Sequence, residues 1–416
     1  MTLAVFRRYS VLNTGGSSGV TWGRTRKHLS PQTGRHAPSM TTASDSEAFS
    51  PVQGYTRCGR RLYDLKTPSL STVTPTAMSS FLNFVYSQIF VALPYPKQDL
   101  TDQTIIVTGA NTGLGLEAAR HFTRLNASKV ILGVRSLEKG EGAKKSIEES
   151  TGRSGVVEAW RLDLCSYESV KQSVQRAHGL QRLDVVVGNA GIAPSTFAMA
   201  EDNESMVTVN VISTFLLGLL ILPKLRETAA KFNVQPHLTV VSSEVHMMAK
   251  FEERKNPDLL KTLNDKNTTD MGDRYQVSKL LQVYCARELA ARLNKTGKSD
   301  VIVNYLNPGM CHSSLSRDGP FFLEVLKFFL ARSTEYGSRA LVSAATAGEE
   351  TQGAYLSDCH VAQWVFLPRR HCCEGFADAE NRPAPMVLDE PEMQQRVWDE
   401  VSAKLESIRP GIMASV

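Results

Sequence analysis

The stretch Thr104-Ile105-Ile106-Val107-Thr108-Gly109-Ala110-Asn111-Thr112-Gly113-Leu114-Gly115 decides the fold. An apolar, β-branched run enters a turn with three glycines, and a helical pattern follows. A Cβ at those glycines would stop the backbone from bending tightly or coming close to a ligand. The helix points its unpaired N–H groups and positive dipole end into the turn. A dinucleotide pyrophosphate suits such a turn. Gly109, Asn111, Thr112, Gly113, Leu114 and Gly115 are therefore the expected cofactor loop. The glycine spacing alone is weak evidence. A Tyr-x-x-x-Lys pair at Tyr275 and Lys279, with a serine ahead of it, makes it strong.

Outward from this loop, apolar runs alternate with helical stretches. Strands are predicted at 105–107, 129–134, 156–161, 185–187, 238–241 and 301–306, with a short last one at 353–356. Their unbroken apolar character suits parallel strands covered on both faces. The β-then-α order predicts an α/β fold: one doubly wound, Rossmann-type parallel sheet with helices on both faces. The domain is expected over 99–365, an apolar N-terminal helix over 78–98, and a polar tail over 366–416 with an amphipathic helix near 392–407. The run 215–222 should end at Pro223 and lie in the core or a dimer contact; it is too short to cross a bilayer.

Residues 1–77 are rich in Ser, Thr, Gly and Arg and read as a disordered extension. The Arg-rich, acid-poor composition also fits an organelle targeting segment. The expected location is the cytoplasm, or the mitochondrion if that segment acts as a signal. Residues 81–93 are uncharged and apolar but short of the ~20 residues that span a bilayer. Three readings stand for them: contact with a membrane surface, cover for a substrate cleft, or packing on the domain.

Composition is that of a soluble globular protein, with 42% hydrophobic and 21% charged residues. Six bases precede the first acid, Asp45, so the whole-chain charge of +5 leaves −1 for the remainder. No nucleic-acid partner is expected. Seven scattered cysteines without a C-x-x-C pair argue against a disulfide framework. His371-Cys372-Cys373 lacks a second ligand pair, so no metal centre is expected.

Reducing a carbonyl needs a hydride donor, a proton donor and a group that holds the carbonyl oxygen. Tyr275 and Lys279 stand at i and i+4 and share a helix face. A free phenol has a pKa of ~10, and a nearby ammonium lowers it. Tyr275 can then exchange a proton with the substrate oxygen. Ser243, chosen over Ser242, ends a strand where ligands bind in open α/β sheets. Asn189, in Gly188-Asn189-Ala190-Gly191, either approaches the nucleotide or ties neighbouring strands. The side chain of Asn210 either holds a water that relays protons to Lys279 or kinks its helix. Arg135 follows the second strand, where an NAD site usually has an acid, and suits a 2′-phosphate, hence NADP(H). Asp163 ends the third strand, within reach of an adenine amino group.

Over about residues 103–356 the chain resembles the short-chain dehydrogenase/reductase superfamily. Residues 108–115 are similar to its cofactor loop and 188–191 to its Asn-Ala-Gly motif. Asn210, Ser243, Tyr275 and Lys279 fit its catalytic tetrad. Asn307-Pro308-Gly309 resembles its turn beside the nicotinamide, with Ser313 where threonine is usual; this implies Pro308 and Ser313 as cofactor contacts. The long Ser243–Tyr275 spacing and Ser-Ser-x-x-His at 242–246 resemble the retinol-dehydrogenase-like branch. Residues 79–96 and Met310-Cys311-His312-Ser313 resemble fungal members, many of which serve secondary-metabolite pathways. The resemblance implies hydride transfer to a carbonyl or from a secondary alcohol, with Tyr275 as acid/base, Lys279 on the ribose and Ser243 orienting the substrate. It also implies a homodimer or homotetramer. Residues 317–331, with Pro320-Phe321-Phe322 and Phe328-Phe329, read as an apolar lid over a lipophilic substrate or as ordinary helix packing. The competing functions are a non-catalytic nucleotide-binding regulator and a membrane-surface scaffold using residues 79–93.

Overall fold

The computed structural model describes residues 84–295, 300–312, 328, 330–362, 387 and 390–416. Strand β1 (Thr104–Thr108) is buried along its whole length. Ile105 and Val107 enter one buried apolar cluster and Ile106 enters the other. Successive side chains of a strand point to opposite faces. A strand apolar at every position therefore needs cover on both.

Six further strands extend β1 into a parallel sheet: β2 (Lys129–Val134), β3 (Val157–Arg161), β4 (Val185–Gly188), β5 (His237–Val241), β6 (Ile302–Asn307) and β7 (Tyr355–Ser357). The spatial order is β3-β2-β1-β4-β5-β6-β7, with Ile106 opposite Ile131 on one side and Val186 on the other. An antiparallel edge strand, β8 (His360–Val361), closes the series. Sequence analysis did not foresee it, because two residues carry no periodicity. Helices α1 (Gly113–Arg124), α2 (Leu137–Thr151) and α6 (Thr334–Ala345) cover one face. Helices α3 (Tyr167–His178), α4 (Ser213–Phe232) and α5 (Met271–Lys295) cover the other. This is the doubly wound sheet expected. The chain leaves β1 toward β2 and later returns beside it as β4, and that reversal opens the crevice where ligands bind in such sheets.

The apolar run at 215–222 does not end at Pro223. Helix α4 carries the proline inside it and continues to Phe232, where Asn233 takes the left-handed conformation that stops it. Proline removes an N–H and so frees the carbonyl four residues back, here Leu219. The Ser415 hydroxyl donates to that carbonyl at 3.4 Å, and His178 Nε2 meets the next one, Leu220, at 3.2 Å. With the turn before it, the helical span Val207–Phe232 is long and apolar enough to cross a membrane. The expected argument from length therefore fails, and placement decides. Phe215, Leu216, Leu217, Leu219, Ile221 and Leu222 lie in the core beneath the sheet. Each such side chain contributes about 1.5–3 kcal/mol by leaving water.

Helix α7 (Pro391–Ile408) lies beyond residue 365 in sequence, yet Val397, Trp398, Val401 and Leu405 belong to that same buried cluster. At the other end, residues 84–90 are helical and dock on the body. Ser87 donates to Asp358 at 2.5 Å, Arg332 donates to the Ser87 carbonyl, and Tyr336 accepts from the Leu93 N–H at 2.7 Å. Tyr86, Ile89 and Phe90 remain on the outside. Packing on the domain is thus what the described part of residues 81–93 does.

Candidate active site

The site is assembled at the carboxyl ends of β1, β4, β5 and β6. After β1, Gly109 and Gly113 have φ of +67° and +62°, a region that favours glycine. At Gly115 a Cβ would lie 2.5 Å from the Asn189 amide nitrogen and 2.8 Å from the Gly109 carbonyl oxygen. Thr112 precedes α1 with extended backbone and makes no side-chain cap bond, and the first turn holds no acid. The positive end of α1 is therefore left open to an anion. A Cβ at Gly113 would meet nothing within 4 Å, so space stands over the loop. The hollow beside it is lined by Asn111, Thr112, Leu116 and Lys139. Arg135 is exposed at the end of β2. These features fit a nucleotide with an anionic group.

Asn189 takes the second of its two readings. Its amide donates to the Thr108 carbonyl at 2.8 Å, and its own N–H and that of Ala190 bond the Thr108 hydroxyl at 3.0 and 2.9 Å. The side chain thus braces β1 against β4. Asp163 accepts from the Cys165 N–H at 3.0 Å through one carboxylate oxygen. Pro308 lies at the end of β6, followed by Gly309 at φ +77°. Ser313 and most of residues 317–331 lie outside the described residues, as do His371-Cys372-Cys373.

The structure brings Ser243, Tyr275 and Lys279 together. Ser242 is buried and its hydroxyl donates to the Lys279 carbonyl at 3.2 Å. Ser243, half-buried, stands beside the Tyr275 phenol. One serine holds the strand to α5 and the other faces the crevice. Lys279 Nζ stands 5.7 Å from the Tyr275 ring centroid and donates to the Val241 carbonyl and to Gln282 Oε1, each at 2.9 Å.

The electrostatics differ from the sequence-based expectation. Burial pushes the Tyr275 phenol well above its usual range, and the bond from Ser243 offsets this only in part. Burial also brings the Lys279 ammonium down to about 7. The ammonium does not lower the phenol here, because the low-polarity surroundings penalise both charged forms and Lys279 is directed to neutral acceptors. Tyr275 is therefore held as the neutral acid. Glu244, beside Ser243, is raised by burial to about 7 despite a 3.3 Å bond from Asn307.

The Asn210 side chain is bonded to Ile192 and Ser278. The amide oxygen accepts from the Ile192 N–H at 2.9 Å, and the nitrogen donates to the Ile192 carbonyl at 3.0 Å and the Ser278 hydroxyl at 2.9 Å. The residue lies in a π-helical turn, Val207–Ile212, a local widening found often at functional sites. Gln282, Ser278 and Lys139 also belong to the site and carry no motif of their own. Gln282 had a signal, since it stands one turn beyond Lys279 on the same helix face.

Residues 103–245 match the family described as short chain dehydrogenase. Among curated proteins, the chain is 45% identical over 345 residues to the short chain dehydrogenase/reductase dmxR8 of Cryptosporiopsis sp., covering 80% of this chain and 100% of the relative. It is 46% identical over 308 residues to the short chain dehydrogenase atnD of Emericella nidulans, covering 71% and 98%. A solved structure of an uncharacterized protein from Mycobacterium paratuberculosis shares the fold, with a TM-score of 0.53 and 24% identity over 74% of this chain and 96% of that one.

Proposed function

Given that the chain belongs to the short-chain dehydrogenase/reductase family and is an oxidoreductase similar to fungal enzymes, we propose that it transfers hydride between NADP(H) and a carbonyl or secondary alcohol of a lipophilic small molecule. The observation that carries this reading is the meeting of Ser243, Tyr275 and Lys279 at the crevice, with Lys279 Nζ 5.7 Å from the Tyr275 ring centroid. A bound nicotinamide nucleotide supplies the hydride. Ser243 Oγ orients the substrate oxygen, and Tyr275 Oη gives it a proton as negative charge develops there. A protonated phenol is the form that donates in reduction. Oxidation would first require the proton to leave Tyr275. Lys279 would hold the ribose.

Arg135 supports the NADP(H) preference, joined by Lys139 at the hollow beside Asn111 and Thr112. The two cations flank the single acid Glu138. Exposed Met248, five residues past Ser243, supports a lipophilic substrate. By the likeness to fungal enzymes we place the reaction in secondary metabolism. A non-catalytic regulator is the less favoured reading, since it leaves the Ser243–Tyr275–Lys279 arrangement without a use. Titration with NADPH and NADH, followed by nicotinamide fluorescence, tests the reading. Tight NADPH and weak NADH binding is expected, with turnover in a screen of lipophilic ketones. Equal affinities would remove the role given to Arg135, and absence of binding by folded protein would remove the enzyme.

A further inference from the structure

Gln282 is fully buried and both ends of its amide are in use. Oε1 accepts from Lys279 Nζ at 2.9 Å, and Nε2 donates to the Asn210 carbonyl at 2.6 Å. That carbonyl belongs to the π-helical turn Val207–Ile212. An ammonium has three N–H groups. Gln282 and the Val241 carbonyl fix two of them, so the third has one direction left.

We propose that Gln282 is a positioning residue that clamps the Lys279 ammonium and closes the Asn210 carbonyl to water. A water at this place could turn and hand on a proton. A carboxamide anchored at both ends cannot turn without breaking both bonds, and it carries no readily transferable proton. Gln282 then passes no proton between Lys279 and the Asn210 carbonyl, and it holds the ammonium in place. This inference rests on the reading of Lys279 as the residue that holds the ribose.

The surroundings make Gln282 the natural control point. From β5 the Val241 carbonyl faces Lys279, from the π-helical turn the Asn210 amide, and from the loop after β4 the Gly191 backbone. All are uncharged. Among the described residues the titratable group facing Lys279 is Tyr275, on its own helix. The amide oxygen of Gln282 is therefore a main support of the charged form.

The test measures NADPH affinity by fluorescence from below to above pH 7, using the full chain and its Gln282→Met, Gln282→Glu and Lys279→Met variants. Both Gln282 variants lose the donor to Asn210 and differ at the Lys279 end. Gln282→Met removes an acceptor from the ammonium, so the pH at which binding weakens should fall by about one unit. Gln282→Glu places a carboxylate there, and the same pH should rise by about as much. A packing role alone would weaken binding at every pH without moving the midpoint, and a shared direction of shift in both variants would likewise overturn the proposal. If Gln282→Met does not fold, the isosteric glutamate variant decides by its upward shift or lack of one. Lys279→Met separates the two levels. If it leaves NADPH affinity unchanged, the reading of Lys279 fails and takes this inference with it. If it weakens binding while the Gln282 variants do not move the midpoint, Gln282 alone is wrong.

Discussion

The cofactor loop and the catalytic floor lie at the same edge of the sheet but are held by different means. The loop is a matter of backbone: Gly109 and Gly113 at positive φ, Gly115 with no room for a Cβ, and Asn189 as the brace. The floor is a matter of side chains: Ser242 on the Lys279 carbonyl, Asn210 on Ser278, and Gln282 between Lys279 and Asn210. A backbone site is rigid because few conformations exist for it. A side-chain site is rigid only while every hydrogen bond is made, since a buried unpaired group costs about 1–3 kcal/mol. Binding should therefore fail through the first region and chemistry through the second.

The largest effect should come from Tyr275→Phe. It should lower kcat by about 10²–10⁴-fold and leave NADPH affinity near its original value. A parallel loss of affinity would erase the division between the regions. Next, Gly115→Ala should weaken NADPH binding by about 100-fold, because its Cβ meets Asn189 and the Gly109 backbone at contact distances that force a shift. Unchanged affinity in a calorimetric titration would show the loop to be adaptable. Arg135→Leu should weaken NADPH about tenfold and NADH little, the size of one exposed charge-assisted contact. The smallest effect concerns pH. Glu244 has its folded-state pKa raised to about 7 from 4.5. The folded protein then holds a proton that the unfolded chain has lost, so stability falls as pH rises through that window. Glu244→Gln should flatten the melting temperature over the same range.

What the sequence shows follows the same division. The strands, the glycine loop and the Tyr275–Lys279 pair are local patterns, and the structure places them within a residue or two of where periodicity does. Constraints on φ and on helix spacing act between neighbours, so they leave marks in the chain. The anchoring of Asn210 is not legible in the sequence, because its partners, Ile192 and Ser278, are 18 and 68 residues away. Nothing at position 210 announces them. The lowered phenol failed for a related reason: i and i+4 spacing brings an ammonium near a phenol, but burial of both is set by the whole core. Pro223 was read as a stop because the hydroxyl that answers its orphaned carbonyl lies 196 residues further on.

That last contact bears on the order of assembly during synthesis. The half of the sheet from β1 to β4 closes over short sequence distances and can form while translation continues. The core around α4 and α5 cannot, because Val397, Trp398, Val401 and Leu405 belong to it. Until residues 391–415 leave the ribosome, the apolar surface they cover stays open to water and to other chains. The catalytic floor rests on that surface, so a nascent chain acquires the nucleotide end of its site well before the end that performs the chemistry.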